Sequence, residues 1–266
     1  MNTWTRHLAV AGLLLLCLAS PAGADFKKGM TAYDAGDYAT ALKAWRPLAE
    51  QGNADAQYGL GLMYDSGKGV AQDNAEAARW YRKAAELGLA SAQSNLGVLY
   101  ARGEGVKQDY AEAANWYRRA AEQEYAMAQF NLGVLYEKGQ GVPQSHAEAV
   151  HWYRRAAEQG DVDAQLNLGL LYAKGQGVPQ SYAKAVRYYR MAAEQGDVDA
   201  QGSLGLLYAN GQGAPQDLVQ AHLWLSLAAA QGDKRAVKER EHLVKKMTSA
   251  QITQAQKLAR GWKPKK

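Results

Sequence analysis

A period of 36 residues constrains this chain more than any other feature. Gln57, Gln93, Gln129, Gln165 and Gln201 stand 36 apart, and so do Trp80, Trp116, Trp152, Tyr188 and Trp224. The Gly-x-Gly pairs that begin at Gly67, Gly103, Gly139, Gly175 and Gly211 keep the same spacing. Five units follow: 53–88, 89–124, 125–160, 161–196 and 197–232. A sequence that repeats every ~20–50 residues is a row of supersecondary units. None can bury its apolar face alone, so neighbours stack into a solenoid.

Each unit reads as two antiparallel helices, which makes the fold all-α. Strands favour β-branched residues, and Val, Ile and Thr fill only 21 of 266 positions, which argues against sheet-based folds. In the second unit Ala92, Leu96 and Leu99/Tyr100 form an apolar helical stripe. Gly103 stops that helix, since glycine takes the left-handed C′ conformation without strain. After the loop, Asp109 and Glu112 have the spacing of a capping box, in which the first side chain caps and the second reaches back. The pattern recurs at Asp73…Glu76, Ser145…Glu148 and Asp217…Gln220, and Ser181…Lys184 breaks it. Gly61, Gly97, Gly133, Gly169 and Gly205 lie inside the first helices, each costing about 1 kcal/mol against Ala. Five such costs imply close helix–helix approach.

The ends are modified. Residues 1–24 have the pattern of a signal peptide: Arg6 and His7, an apolar run from Leu8 to Leu18, then Pro21-Ala22-Gly23-Ala24. Eleven apolar residues fall short of the ~20 that span a bilayer. Cleavage after Ala24 removes Cys17, the one cysteine, so the mature chain can form neither disulfides nor thiolate zinc sites. The expected compartment is periplasmic or extracellular, with no membrane span left after cleavage. Residues 25–52 form a short helix-pair cap whose long loop is reduced to Asp34-Ala35-Gly36-Asp37. Residues 233–266 form a basic closing cap: a polar helix from Asp233 to Met247, a cap signature at Thr248…Gln251, and a last helix stopped by Gly261.

The pattern AxAQxNLGxLYxxGxGVxQ(D/S)xAxAxxWYRxAAEQG resembles the Sel-one-like repeats, relatives of the tetratricopeptide repeat. The inner LGxxY of Leu96-Gly97…Tyr100, Leu132-Gly133…Tyr136, Leu168-Gly169…Tyr172 and Leu204-Gly205…Tyr208 is shared with the tetratricopeptide pattern. The resemblance covers 53–232 and loosely 25–52. It implies a right-handed α/α superhelix that acts as a protein-interaction scaffold, in secreted bacterial members often in envelope regulation or host contact. One secreted branch carries a disulfide in each repeat, and this chain lacks those cysteines.

Chemistry-bearing constellations are scarce, and no enzyme activity, cofactor or metal is expected. His146 and His151 are five apart, off the spacing that puts two ligands on one helix face. Glu239 and His242 are three apart but have no partners in the sequence. The Gly-x-Gly loops lack the Gly-Lys-Ser/Thr ending of a phosphate loop. Ser181-Tyr182-Ala183-Lys184 matches the Ser-x-x-Lys of β-lactam-recognising enzymes. However, Ser181 holds the cap position of Asp73, Asp109, Ser145 and Asp217, and neither companion motif occurs. A hydrolase of envelope material is therefore the second reading.

The formal charge of +5 is unevenly placed. Residues 25–232 carry 19 Lys+Arg against 23 Asp+Glu, and residues 233–266 carry 11 against 3. The basic excess thus belongs to the tail, no nucleic-acid motif is present, and nucleic acid is not an expected partner. Either the tail is a solvated cap or it attaches to an anionic envelope surface, which makes a surface-tethered structural protein the third reading.

The first helices would line the concave face of a superhelix. Opposite the core stripe they present three rows. One is Asn95, Asn131, Asn167 and then Ser203. The second is Leu62, Val98, Val134, Leu170 and Leu206. The third is Ser66, Arg102, Lys138, Lys174 and Asn210. Amides can bond an extended peptide backbone, apolar positions can take its side chains, and cations suit its carboxylates. The competing reading is that the Asn and Val rows only knit neighbouring repeats together.

Overall fold

The computed structural model describes residues 21–265, all helix, turn or loop. The opening cap is α1 (Pro21–Asp34) and α2 (Tyr38–Glu50). The repeats follow as α3 (Ala54–Ser66) with α4 (Asn74–Glu86), α5 (Ala90–Arg102) with α6 (Tyr110–Glu122), and α7 (Ala126–Lys138) with α8 (His146–Glu158). Then come α9 (Val162–Lys174) with α10 (Tyr182–Glu194) and α11 (Val198–Asn210) with α12 (Leu218–Ala230). The closing cap is α13 (Lys234–Val244) and α14 (Ser249–Gly261). Most of the leader-like segment lies outside the described residues, and its last four residues open the first turn of α1.

Each helix through α12 packs on the next, and the buried residues form a row of four clusters, three small ones from α2 to α8 and a continuous one from α8 to α13. In the first four repeats the mid-helix glycine of the first helix lies under a tyrosine ring of the second, and in the fifth Gly205 lies against Leu225. A Cβ on Gly97 would stand 2.6 Å from Tyr117, and one on Gly133 would stand 2.7 Å from Tyr153. The helices therefore approach to the thickness of an aromatic ring, which offsets the propensity cost of glycine. In the opening cap the larger Trp45 takes the tyrosine's place, and a Cβ on Gly59 would stand 2.7 Å from it. This explains why the Asn row starts only at Asn95: Gly59 holds the equivalent position in the first repeat.

Neighbouring repeats are tied by two polar ladders. In the first, Gln93 is buried and its Nε2 donates to the Ala85 carbonyl of the preceding repeat at 3.0 Å, while its Oε1 accepts from Gln123 Nε2 at 2.8 Å. Gln129, Gln165 and Gln201 repeat this, with Gln159, Gln195 and Gln231 as donors. Gln57 makes the first bond, to Ala49, but its Oε1 is buried without a partner. The residue that would supply one is Leu87, 59% exposed. In the second ladder Arg46, Arg82, Arg118, Arg154 and Arg190 donate to the hydroxyls of Tyr64, Tyr100, Tyr136, Tyr172 and Tyr208. Tyr100 is thus half-buried and polar-tipped, whereas Ala92, Leu96 and Leu99 carry the core stripe.

The caps differ from expectation in one respect. Asp73, Asp109, Ser145, Ser181 and Asp217 all cap their helices, but the return bond of a capping box is absent among them. Each cap N–H is already used: Asp73 donates to Tyr64 O, Asp109 to Tyr100 O and Ser145 to Tyr136 O. The complete box occurs at Thr248 and Gln251, where no neighbouring helix claims the N–H. Gly103 takes φ 72° as expected, and Glu124 takes φ 61° where the other repeats have glycine. Gly261 does not stop α14. It is the last helical residue, and Trp262 turns extended ahead of Pro264.

Candidate functional site

The three rows on the first helices differ in exposure. Ser66, Arg102, Lys138, Lys174 and Asn210 are exposed. Lys138 and Lys174 form no ion pair among the described residues, and Arg102 has only a loose one to Glu104 at 3.9 Å. The Ser66 hydroxyl donates to Leu62 O on its own helix at 2.6 Å. Leu62, Val98, Val134, Leu170 and Leu206 are half-buried, and Leu62, Val98 and Val134 pack against the junction cores.

The Asn row is also half-buried, and it points at tyrosine. Asn95 faces the Tyr58 and Tyr81 hydroxyls, Asn167 that of Tyr153, and Ser203 that of Tyr189. Burial pushes all four phenols up, Tyr189 to about 12, so they stay neutral. Tyr81 OH also donates to Asp65 at 3.2 Å, and Tyr153 OH to Glu137 at 2.6 Å. The amides of Asn95 and Asn167 thus sit half-buried beside tyrosines of the preceding repeat.

The structure brings four of these residues together. Val98, Arg102, Asn131 and Val134 line a cleft of about 200 Å³ between α5 and α7, joined by Tyr110 and Tyr117. It offers an apolar wall, an amide and a guanidinium, enough to hold one side chain of an extended peptide beside its backbone. Leu62, Ser66, Asn95, Lys138, Asn167, Leu170, Lys174, Leu206 and Asn210 lie outside this cleft. Burial raises the Tyr117 phenol above its ordinary pKa, while Arg102 pulls the other way.

The Ser-x-x-Lys sequence has no dyad geometry. Ser181 Oγ accepts from Lys184 N at 3.3 Å as a helix cap, and the Lys184 ammonium sits over the Tyr172 ring at 5.1 Å. No group of three metal-ligating side chains occurs among the described residues. No helix among them is long and apolar enough to cross a membrane.

A row of stacked helix pairs, tied junction to junction and presenting a side-chain groove, defines a repeat scaffold. The Sel1 repeat pattern matches residues 54–89, 90–125, 126–161, 162–197 and 198–233, and the chain belongs to that family. Sel1 repeats are an interaction fold that mediates protein–protein contacts. The chain is similar to a Sel1 repeat protein from Oxalobacter formigenes, at 38% identity and a TM-score of 0.77, over 88% of this chain and 98% of that one. It is also similar, at 38% identity and a TM-score of 0.82, to c5321, a protective antigen present in uropathogenic Escherichia coli strains that displays an SLR fold. That match covers 90% of this chain and 52% of c5321, so the chain spans about half of that protein's length. No curated protein matches the chain.

Proposed function

We propose that the protein is a non-enzymatic adaptor, periplasmic or secreted, that grips an extended segment of a partner protein along its first helices. The observation that carries this is the cleft where Val98, Arg102, Asn131 and Val134 meet, with the exposed Lys138 and Lys174 at the position of Arg102 in the next two repeats. The unpaired cations suit an acidic or C-terminal segment, and steer it on approach. The leader-like residues 1–24 favour an envelope or extracellular role, and the likeness to a protective antigen favours host contact over envelope regulation within that role. The test is photocrosslinking in cells from Val98 or Val134, followed by mass spectrometry. One dominant partner, lost when Arg102, Lys138 and Lys174 are changed to Glu, supports the groove. Unchanged capture refutes it.

A further inference from the structure

The closing helices break the rule followed by every pair before them. In each repeat the two helices pack along one another, whereas α13 and α14 both lean on α12 and touch one another slightly at most. Only residues 245–248 join them, without a Gly-x-Gly loop, and they add just Ala236, Leu243 and Ala255 to the buried core. The volume a shared core would fill is left as a cleft of about 800 Å³, floored by α12. Pockets for small organic ligands fall in the range of ~300–1,000 Å³.

Its lining combines two chemistries. Val244, Ile252 and Ala259 make an apolar strip. Arg240, Lys245 and Arg260 supply three cations from both walls, and none forms an ion pair among the described residues. Glu241 is the one carboxylate on the lining. Lys245 and Arg260 stand at helix C-termini, where the dipole favours a cation, but Arg240 is in mid-helix and has no such explanation. At the floor is His222, 3% exposed, whose Nδ1 lies 3.2 Å from Ser226 Oγ. A hydrophilic anion would leave the apolar strip in water, and a neutral or cationic amphipath would leave the three charges unmatched.

We propose that this cleft binds an amphipathic anion: an apolar chain on Val244, Ile252 and Ala259, with one carboxylate or phosphate head held by Arg240, Lys245 and Arg260. His222 and Ser226 offer it hydrogen bonds from the floor. The site is separate from the groove on the first helices and does not depend on it.

Ile252 is the chain's only isoleucine, so protein carrying ¹³C at isoleucine δ1 methyls reports on the cleft through a single signal. Dodecanoate and dodecyl phosphate, each below its micellar concentration, are titrated in parallel with dodecyltrimethylammonium and inorganic phosphate. The expected result is a saturable shift with at least one dodecyl anion and none with the cation or inorganic phosphate. Tighter binding of dodecanoate identifies an acyl carboxylate as the source, and tighter binding of dodecyl phosphate a lipid phosphate. Calorimetry on Arg240→Glu/Arg260→Glu should show at least a tenfold loss of affinity with unchanged circular dichroism. The proposal is overturned if neither dodecyl anion moves the Ile252 signal, if the cation binds as tightly, or if the folded double variant binds as the parent does. Should that variant misfold, the anion-against-cation comparison on the parent protein decides alone.

Discussion

Leu87 occupies the one break in the glutamine ladder, and replacing it with Gln should stabilise the protein. The backbone is ready: Leu87 has φ −78° and ψ −1°, close to the −84° and −4° of Gln195, which makes the bond at its own junction. The acceptor is ready too, since Gln57 Oε1 is buried with no partner. An orphaned buried acceptor costs about 1–3 kcal/mol, and a neutral hydrogen bond contributes about 1 kcal/mol net. Leu87 is 59% exposed, so its removal forfeits only part of the ~1.5–3 kcal/mol of a fully buried leucine, and the glutamine stem recovers some of that. A net gain near 1 kcal/mol follows, or about 2–4 °C in Tm for a chain of this size. Thermal and urea denaturation of Leu87→Gln, alone and combined with Gln57→Met, form a double-mutant cycle. The reasoning fails if Tm does not rise, or if the rise survives loss of Gln57. As the mirror experiment, Gln159→Leu should cost a similar amount by orphaning Gln129 Oε1.

Four other outcomes are expected. Gly133→Ala should lose about 1–2 kcal/mol in urea denaturation, because overpacking against Tyr153 at about 1–3 kcal/mol outweighs the ~1 kcal/mol gain in helix propensity. Changing Arg102, Lys138 and Lys174 to Glu should weaken partner capture with no fall in Tm, since all three are exposed and none anchors packing. Ser181→Ala should cost about 1 kcal/mol through the lost cap, and neither it nor the parent should turn over nitrocefin. Burial, then the Arg240 charge, holds His222 below its ordinary pKa, with Glu241 and Lys245 from α13 and Arg260 from α14 facing the same cleft. Below about pH 6.5 the unfolded chain therefore binds a proton that the folded chain resists, so Tm should fall on acidification and His222→Gln should flatten the fall. Asp161 and Asp197, raised by burial, act with the opposite sign and only nearer pH 4.

The repeat architecture was legible because it is written in the spacing of single residues. The 36-residue period, the stop at Gly103 and the crowding at Gly97 each map to one backbone or ring contact. The polar ladders were equally periodic but less legible. Arg82, Arg118 and Arg154 recur at the same spacing as Tyr100, Tyr136 and Tyr172, yet a surface arginine and a core-looking tyrosine do not announce a bond across a junction. The missing return bonds of the caps were illegible for a related reason: the competing acceptor, Tyr64 O or Tyr100 O, belongs to the other helix of the pair. Of the groove rows, the cations are exposed as their spacing suggests, whereas Asn95 and Asn167 are half-buried beside tyrosines that only the fold brings near. The closing cleft depends on two helices failing to pack along one another, and no local pattern records packing that does not form.

The two ladders also bear on how such a chain changes length. Each rung joins positions 8, 18 or 30 residues apart, within one period, and each repeat presents the same donors and acceptors to its neighbours. Removing one unit from the interior, such as 161–196, would bring Arg154 against Tyr208, and Gln201 against the Ala157 carbonyl in place of that of Ala193, so every rung would close again. Duplication of a unit works the same way. The chain can thus grow or shrink by whole helix pairs while its caps stay matched, so the length of the face made by the first helices can be altered by recombination without redesign of a single junction.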